Sequence, residues 1–306
     1  MEVSHKRRRK LREALTGYAF VLPALVLFAV LGVYTVGYGL ALSFARWNGF
    51  SADWLWVGLG NYRDLLYRDK TLSPIVLDAA ANTAVVMIAV PLLAVVAGLP
   101  VALALNRITT LRTTLRTVFF LPYVTTGIAV FYAWTYVLQP EGSLNAILKA
   151  LGLGTLAQPQ GFLGNPATAL PTLIAVLAWS SIPVAILLYL TGLQSIDPSV
   201  LDAARVDGAT GLRTVTAVIW PLLRPITAAV ILLNLRDALQ GFQMFLVMTN
   251  GGPGGHTNVL GLQAYNLAFF SELRPTLGLA SALGWLLFVV ALILVAVNVR
   301  VLKSRT

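Results

Sequence analysis

Six stretches of this chain are long enough and apolar enough to cross a bilayer as helices, and that leaves few folds open. They are Tyr18–Leu42, Thr83–Leu105, Thr117–Leu138, Leu170–Leu190, Ile226–Met248 and Leu277–Val299. A hydrocarbon core takes about 20 helical residues to cross. Inside it, only helices and closed barrels satisfy every backbone polar group. Composition points the same way: 58% of the 306 residues are hydrophobic and 11% are charged, where soluble domains carry about 25% charged residues. Prolines 23, 91, 100, 122 and 183 fall inside these stretches. Membrane helices tolerate them where neighbours satisfy the freed carbonyls.

The net charge of +10 would suggest nucleic acid in a soluble chain. In a membrane chain it sets topology and meets anionic lipid head groups, and no nucleic-acid partner is expected. Lys6, Arg7, Arg8, Arg9, Lys10, Arg12, Arg107, Arg112, Arg116, Arg205, Arg213, Arg224, Arg300, Lys303 and Arg305 fall on one side. A smaller set, Arg46, Arg63, Arg68, Lys70, Lys149 and Arg274, falls on the other. The asymmetry predicts that both termini are cytoplasmic. The basic N-terminus followed by an apolar run too long for a signal peptide reads as a retained signal-anchor helix. With no cysteine and only two histidines, disulfides, thiol catalysis and cysteine metal sites drop out, and no metal or catalytic site is expected.

The predicted organisation is all-α and integral to the membrane. A basic cytoplasmic segment occupies 1–17, a first transmembrane helix 18–42, and an extracytoplasmic loop 43–77. A five-helix core spans 78–300, with a charged cytoplasmic segment at 197–225, and 301–306 form a cytoplasmic tail. Trp47, Trp54, Trp56 and Tyr62 in the first outer loop fit either an interfacial aromatic belt or a docking surface. The stretch from Pro140 to Ala169 reads as a re-entrant or capping loop.

The charged segment carries its own local signals. Asp197-Pro198 starts a helix: a carboxylate cap, then proline at the first helical position. Gly208 ends it by taking a left-handed conformation at low cost. Thr210 or Gly211 opens a second helix running toward Pro221 and Pro225.

Residue order adds more. Asp202-Ala203-Ala204-Arg205-Val206-Asp207-Gly208-Ala209, followed by Val218-Ile219-Trp220-Pro221, resembles the cytoplasmic Glu-Ala-Ala motif of binding-protein-dependent ABC importer permeases of the sugar type. Gly192 to Pro198, Arg116 to Pro122, Thr249 to Gly254, Trp47-Asn48 and Val57 to Tyr62 resemble further stretches of that family, so the likeness covers nearly the whole chain. Asp202 stands where Glu is usual, Val215 where Phe is, and Trp220 where Leu is.

The resemblance implies a type I ABC importer fold with six transmembrane helices. It implies that Asp202, Ala203, Ala204, Asp207, Gly208 and Ala209 form a coupling helix docking on a cytoplasmic ATPase. It implies two ATPase subunits that bind ATP and Mg, a second permease making a heterodimer, and an extracytoplasmic solute-binding protein. This chain has no Gly-x-x-x-x-Gly-Lys-Ser/Thr loop of its own, so it is expected to be a translocation subunit rather than an enzyme, with no cofactor. A glycerol-phosphate importer, which would draw on Arg236, and a proton-coupled transporter using Asp237 are the alternatives.

Polarity within the fifth apolar stretch marks the candidate substrate lining. Charge at bilayer depth is costly and marks function or pairing. Asn234, Asp237, Ala238 and Gly241 share one helical face by spacing, and Arg236, Gln240 and Gln243 share the next. The resemblance adds Ser180 and Ser181 of the fourth stretch, beside Trp179. Asn234 and Asp237 fit either substrate hydroxyls or interhelical hydrogen bonds to the partner permease; Arg236 and Gln243 read first as structural. His256 reads as a loop residue.

Overall fold

The computed structural model describes residues 16–50, 54–107, 127–270 and 277–303. The basic N-terminus, Arg112, Arg116, Pro122, Arg274 and the first half of the third apolar stretch lie outside them. Among the described residues, four helices are long and apolar enough to cross a membrane, and a bent pair makes a fifth. They are α1 (Thr16–Ser43), α3 (Leu72–Arg107), α6 (Pro166–Gln194) and α12 (Leu277–Lys303). The bent pair is α8 (Leu212–Leu222) and α9 (Arg224–Gln240), which meet at 70°. Between these lie α2 (Gly60–Arg63), α4 (Ile128–Val137), α5 (Ser143–Ala150), α7 (Pro198–Val206), α10 (Gln243–Met248) and α11 (Leu260–Phe269).

Several boundaries depart from the sequence expectation, each for a local reason. Helix α3 begins at Leu72, well before Thr83 and inside the expected 43–77 loop. The Asp69 carboxylate accepts the Thr71 and Leu72 N–H groups at 2.9 and 3.0 Å, capping the helix there. The fifth stretch is not one helix: α9 stops at Gln240 and α10 starts at Gln243. Gly241 turns the backbone, its N–H donating to the Asp237 carbonyl at 2.7 Å. Gly241 and Gln243 therefore leave the two faces on which the spacing placed them. The segment 140–169 folds around Asn145, whose side chain donates to the Pro140 and Gln158 carbonyls and accepts from the Gln158 N–H, all at 2.9 Å.

The segment between α1 and α3 closes as a short antiparallel pair, β1 (Ala45–Arg46) with β2 (Leu55–Trp56). Asn61, buried, donates to the Ser43 and Ala45 carbonyls, and Tyr62 donates to the Ser43 hydroxyl. This hairpin sits on the start of α12, where the Leu277 N–H donates to the Trp47 carbonyl.

The bundle core rests on α3 against α6, with α9 across both. Small residues allow the approach: a Cβ at Gly98 would stand 2.9 Å from the Ala185 Cβ. Two apolar clusters result. One joins Ala94, Leu99, Ala102 and Leu105 to Ile186, Tyr189 and Leu190, and to Leu223 and Val230. The other joins Val86 and Val90 to Leu173 and Val176, and to Met244, Phe245 and Leu262. Within the first, buried Tyr189 donates its hydroxyl to Thr227 at 3.0 Å. Gly192 faces Leu223 and Ile226 so closely that a Cβ would meet both.

Helix α7 follows its sequence signals. Asp197 caps it by accepting the Ser199 N–H at 2.8 Å. At its end Gly208 has φ +77°, and the Gly208 and Ala209 N–H groups donate back to Arg205 and Ala204. Gly211, with φ +55°, opens α8.

Two outcomes are expected. Gly98→Val should push α3 from α6 and cost about 1–3 kcal/mol, read as a lower Tm in detergent. The hydrogen bonds from Ser199 hold the Asp197 carboxyl below its ordinary value of 3.8. Its contribution to α7 is complete above that value and is lost as pH falls through the lowered one. Asp197→Ala should therefore speed amide exchange in 198–206 at neutral pH and change little in strong acid.

Candidate functional site

Between the two apolar clusters the packing opens. A cavity of about 410 Å³ lies at this seam, walled by Val90 of α3, by Leu177, Ser180, Ser181 and Val184 of α6, and by Leu233 to Ala238 of α9, Leu235 excepted. Five of the six expected lining residues, Ser180, Ser181, Asn234, Asp237 and Ala238, meet there. The sixth, Gly241, does not; it closes α9 beyond the cavity.

Arg236, placed by spacing on a different face, borders the same cavity. It also borders an apolar groove on the other side of α9. Val90, Leu177 and Val184 carry no sequence signal that separates them from other apolar residues. Trp179 does not join the wall; its ring meets Trp134 edge to face at 5.3 Å.

The polar groups are arranged as acceptors and donors on an otherwise apolar wall. The Ser180 hydroxyl donates to the Leu177 carbonyl at 2.9 Å, and Ser181 to Ala178 at 3.2 Å. Both hydroxyl oxygens keep acceptor capacity. The Asn234 amide donates to the Val230 carbonyl at 2.8 Å. Among the described residues, neither Arg236 nor Asp237 has an ion pair within 4.0 Å. A carboxylate and a guanidinium on α9, facing two small serines on α6, can accept from and donate to a polyhydroxylated molecule. Among the described residues no group of three metal-ligating side chains gathers anywhere. His256 is exposed on the Gly-rich turn after α10 and does not border the cavity.

The second candidate set lies on α7 and the corner after it. Ala204 and Ala209 are buried, while Asp202, Ala203, Asp207 and Gly208 are exposed. Asp202 pairs with Arg205 at 2.9 Å on that exposed face. Beside them Val206 and Leu212 are 88% and 77% exposed, an apolar edge next to an acidic one. Leu201 turns inward onto the first apolar cluster. The segment thus has one side fixed to the bundle and one side open. It links α6 to α8 and α9, and α6 and α9 wall the cavity.

A family model described as the binding-protein-dependent transport system inner membrane component matches residues 92–305. The multiple sugar-binding transport system permease protein MsmF of Streptococcus mutans is 31% identical over 296 residues, 97% of this chain and 98% of its own. The trehalose/maltose transport system permease protein MalF of Thermococcus litoralis is 31% identical, over 97% of this chain and 96% of its own. A chain from a crystallised bacterial ABC transporter involved in import of the acidic polysaccharide alginate superposes with TM-score 0.79 at 22% identity, over 98% of this chain and 99% of that one. A second structure, of the alginate transporter in complex with alginate pentasaccharide-bound periplasmic protein, gives 0.76 at 22% identity, over 95% of this chain and 94% of that one. At that identity the likeness speaks to the fold. With the family match over most of its length and several long apolar helices, this chain is a multi-pass membrane protein that belongs to the binding-protein-dependent transport system inner membrane components.

Proposed function

We propose that this chain is one translocation subunit of an ATP-driven importer for a sugar or oligosaccharide. The observation that carries the reading is the physical link between its two candidate sites. Helices α6 and α9 hold the polar cavity, and the exposed α7 segment is the connection between them. The names of the relatives, sugar permeases by description, support the substrate class.

In this reading the chain has six transmembrane helices in the type I arrangement and both termini in the cytoplasm. The bent α8–α9 pair supplies the fifth. The exposed Asp202, Ala203, Asp207 and Gly208, held by Ala204 and Ala209, dock on an ATPase subunit. Two ATPases bind ATP and Mg; this chain binds neither. A second permease completes the pathway, and a solute-binding protein delivers substrate from outside.

Closure of the ATPases pushes on α7. The Tyr189–Thr227 hydrogen bond and the Gly192 contact fasten α6 to the start of α9. The push therefore moves α6 and α9 together and carries the cavity from one side's access to the other. Asp237 and Asn234 accept and donate to substrate hydroxyls, and Ser180 and Ser181 leave room for a ring. Arg236 at the same wall favours a second reading, import of glycerol phosphate or another small anionic solute, since a guanidinium suits phosphate.

Two variants test this in cells that take up a defined sugar. Gly208→Pro cannot adopt φ +77°, so α7 should insert with the chain yet lose ATPase co-purification and uptake. Asp237→Asn should keep the ATPase and weaken uptake about ten- to a hundred-fold, the worth of a hydrogen bond to a charged group. Uptake of a phosphate ester surviving in place of sugar uptake would favour the second reading. Wild-type uptake with the ATPase retained in Gly208→Pro would overturn the coupling assignment.

A further inference from the structure

The chain between α4 and α6 makes an excursion that neither candidate site uses. It is pinned to a helix end at each side. At its start, buried Gly142 packs so closely on the Tyr136 and Val137 carbonyls that a Cβ would collide with both. At its far side, the Gln158 side chain accepts from the Asn165 amide at 3.1 Å. Asn165 in turn caps α6, accepting the Ala167 N–H at 3.0 Å. Between these points buried Asn145 of α5 is bonded to Gln158. Helix α5 is therefore held at the depth where the α6 span begins, on the membrane side opposite α7.

Around α5 the side chains sort into three sectors. Asn145 is buried and Leu144 and Leu148 are half-buried, and Leu144 packs on the second apolar cluster. That sector faces the bundle. Ile147 and Leu151, four residues apart, share one flank and are 55% and 69% exposed. Lys149, the one charged residue of 143–156, is exposed and lies about 200° round the helix from both. The bundle sector falls between these two flanks. Gly152, with φ +75°, then turns the chain so that the Leu153 N–H donates to the Leu148 carbonyl at 2.8 Å. Leu153 and Leu156 are exposed as well.

We propose that residues 143–156 form a foot lying in the membrane surface. Ile147, Leu151, Leu153 and Leu156 sit in lipid beneath the phosphates, and Lys149 points to the head groups and water. The proposal needs only that the chain spans a membrane, so it stands or falls apart from the importer reading. An amphipathic helix in the surface plane sinks its apolar side about 5–10 Å into the head-group boundary. With α5 held on the bundle by its middle sector, one flank turns to the bilayer and the other to water, and the lysine decides which. A docking face for a soluble protein carries a polar rim. Beside Ile147 and Leu151, α5 offers Ser143, Ala146 and Ala150.

The absence of cysteine makes a direct test possible. Ile147→Cys, Leu151→Cys and Lys149→Cys, each carrying a nitroxide, are reconstituted in phospholipid nanodiscs with the subunits that co-purify. The unsubstituted chain, labelled in parallel, gives the background. At 147 and 151 collision with oxygen, which concentrates in lipid, should exceed collision with a water-soluble nickel chelate several-fold. At 149 the order should reverse. Nickel access at 147 and 151 equal to that at 149 would put the flank in water and overturn the proposal. Exclusion of both reagents at 147 and 151 would mean that protein covers the flank, and would overturn it too.

Discussion

The close approach of α3 and α6 is the contact on which the rest of the structure depends. In a membrane, apolar side chains gain little by leaving lipid for one another, so helices hold together through fit and a few polar bonds. Gly98 against Ala185 supplies the fit. Once those backbones are close, α9 can lie across both, and the side chains divide into two packed clusters. The clusters do not merge. Where one ends at Val90 and Val176 and the other begins at Ala94 and Ala185, serines on α6 and polar residues on α9 replace the expected leucines. The cavity is thus a consequence of how the core is divided, not a hole in it.

The same pair of helices explains why the α7 segment is charged and interrupted. It must leave the bundle, turn and return within a few residues. Asp197 starts the short helix, Gly208 stops it, and Gly211 starts the way back. Leu201 packs onto the first apolar cluster and Ala204 and Ala209 are buried, which leaves the acidic and apolar edge facing outward. Below the cavity, Tyr189 with Thr227 and Gly192 with Ile226 leave little freedom for α6 to slide on α9.

Much of this was legible in the sequence, for reasons that differ by element. Apolar runs near the length of a bilayer fix α1, α6 and α12 because length and composition are the physical requirement. Residues 197–208 were legible because caps are single-residue chemistry. The early start of α3 was not, since Asp69 supplies the cap outside the apolar run. The break at Gly241–Phe242 was hidden because the apolar composition continues to Met248, so composition cannot distinguish one helix from two. Its cost was the misplacement of Gly241 and Gln243. Helix α11 and the 45–46/55–56 hairpin are shorter than any span and left no periodic signal. In the cavity, Ser180, Ser181, Asn234 and Asp237 stood out as polar residues in apolar surroundings, whereas spacing placed Arg236 on the next face although it borders the same cavity.

The central claim is that the exposed side of α7 meets an ATPase, and cross-linking tests it most directly. The chain contains no cysteine, so a single thiol reports without background. Val206→Cys, at a side chain 88% exposed, should cross-link to a co-purifying ATPase subunit, while Ala204→Cys, at 7% exposed, should not. Cross-linking of neither position in a complex that still transports would contradict the account.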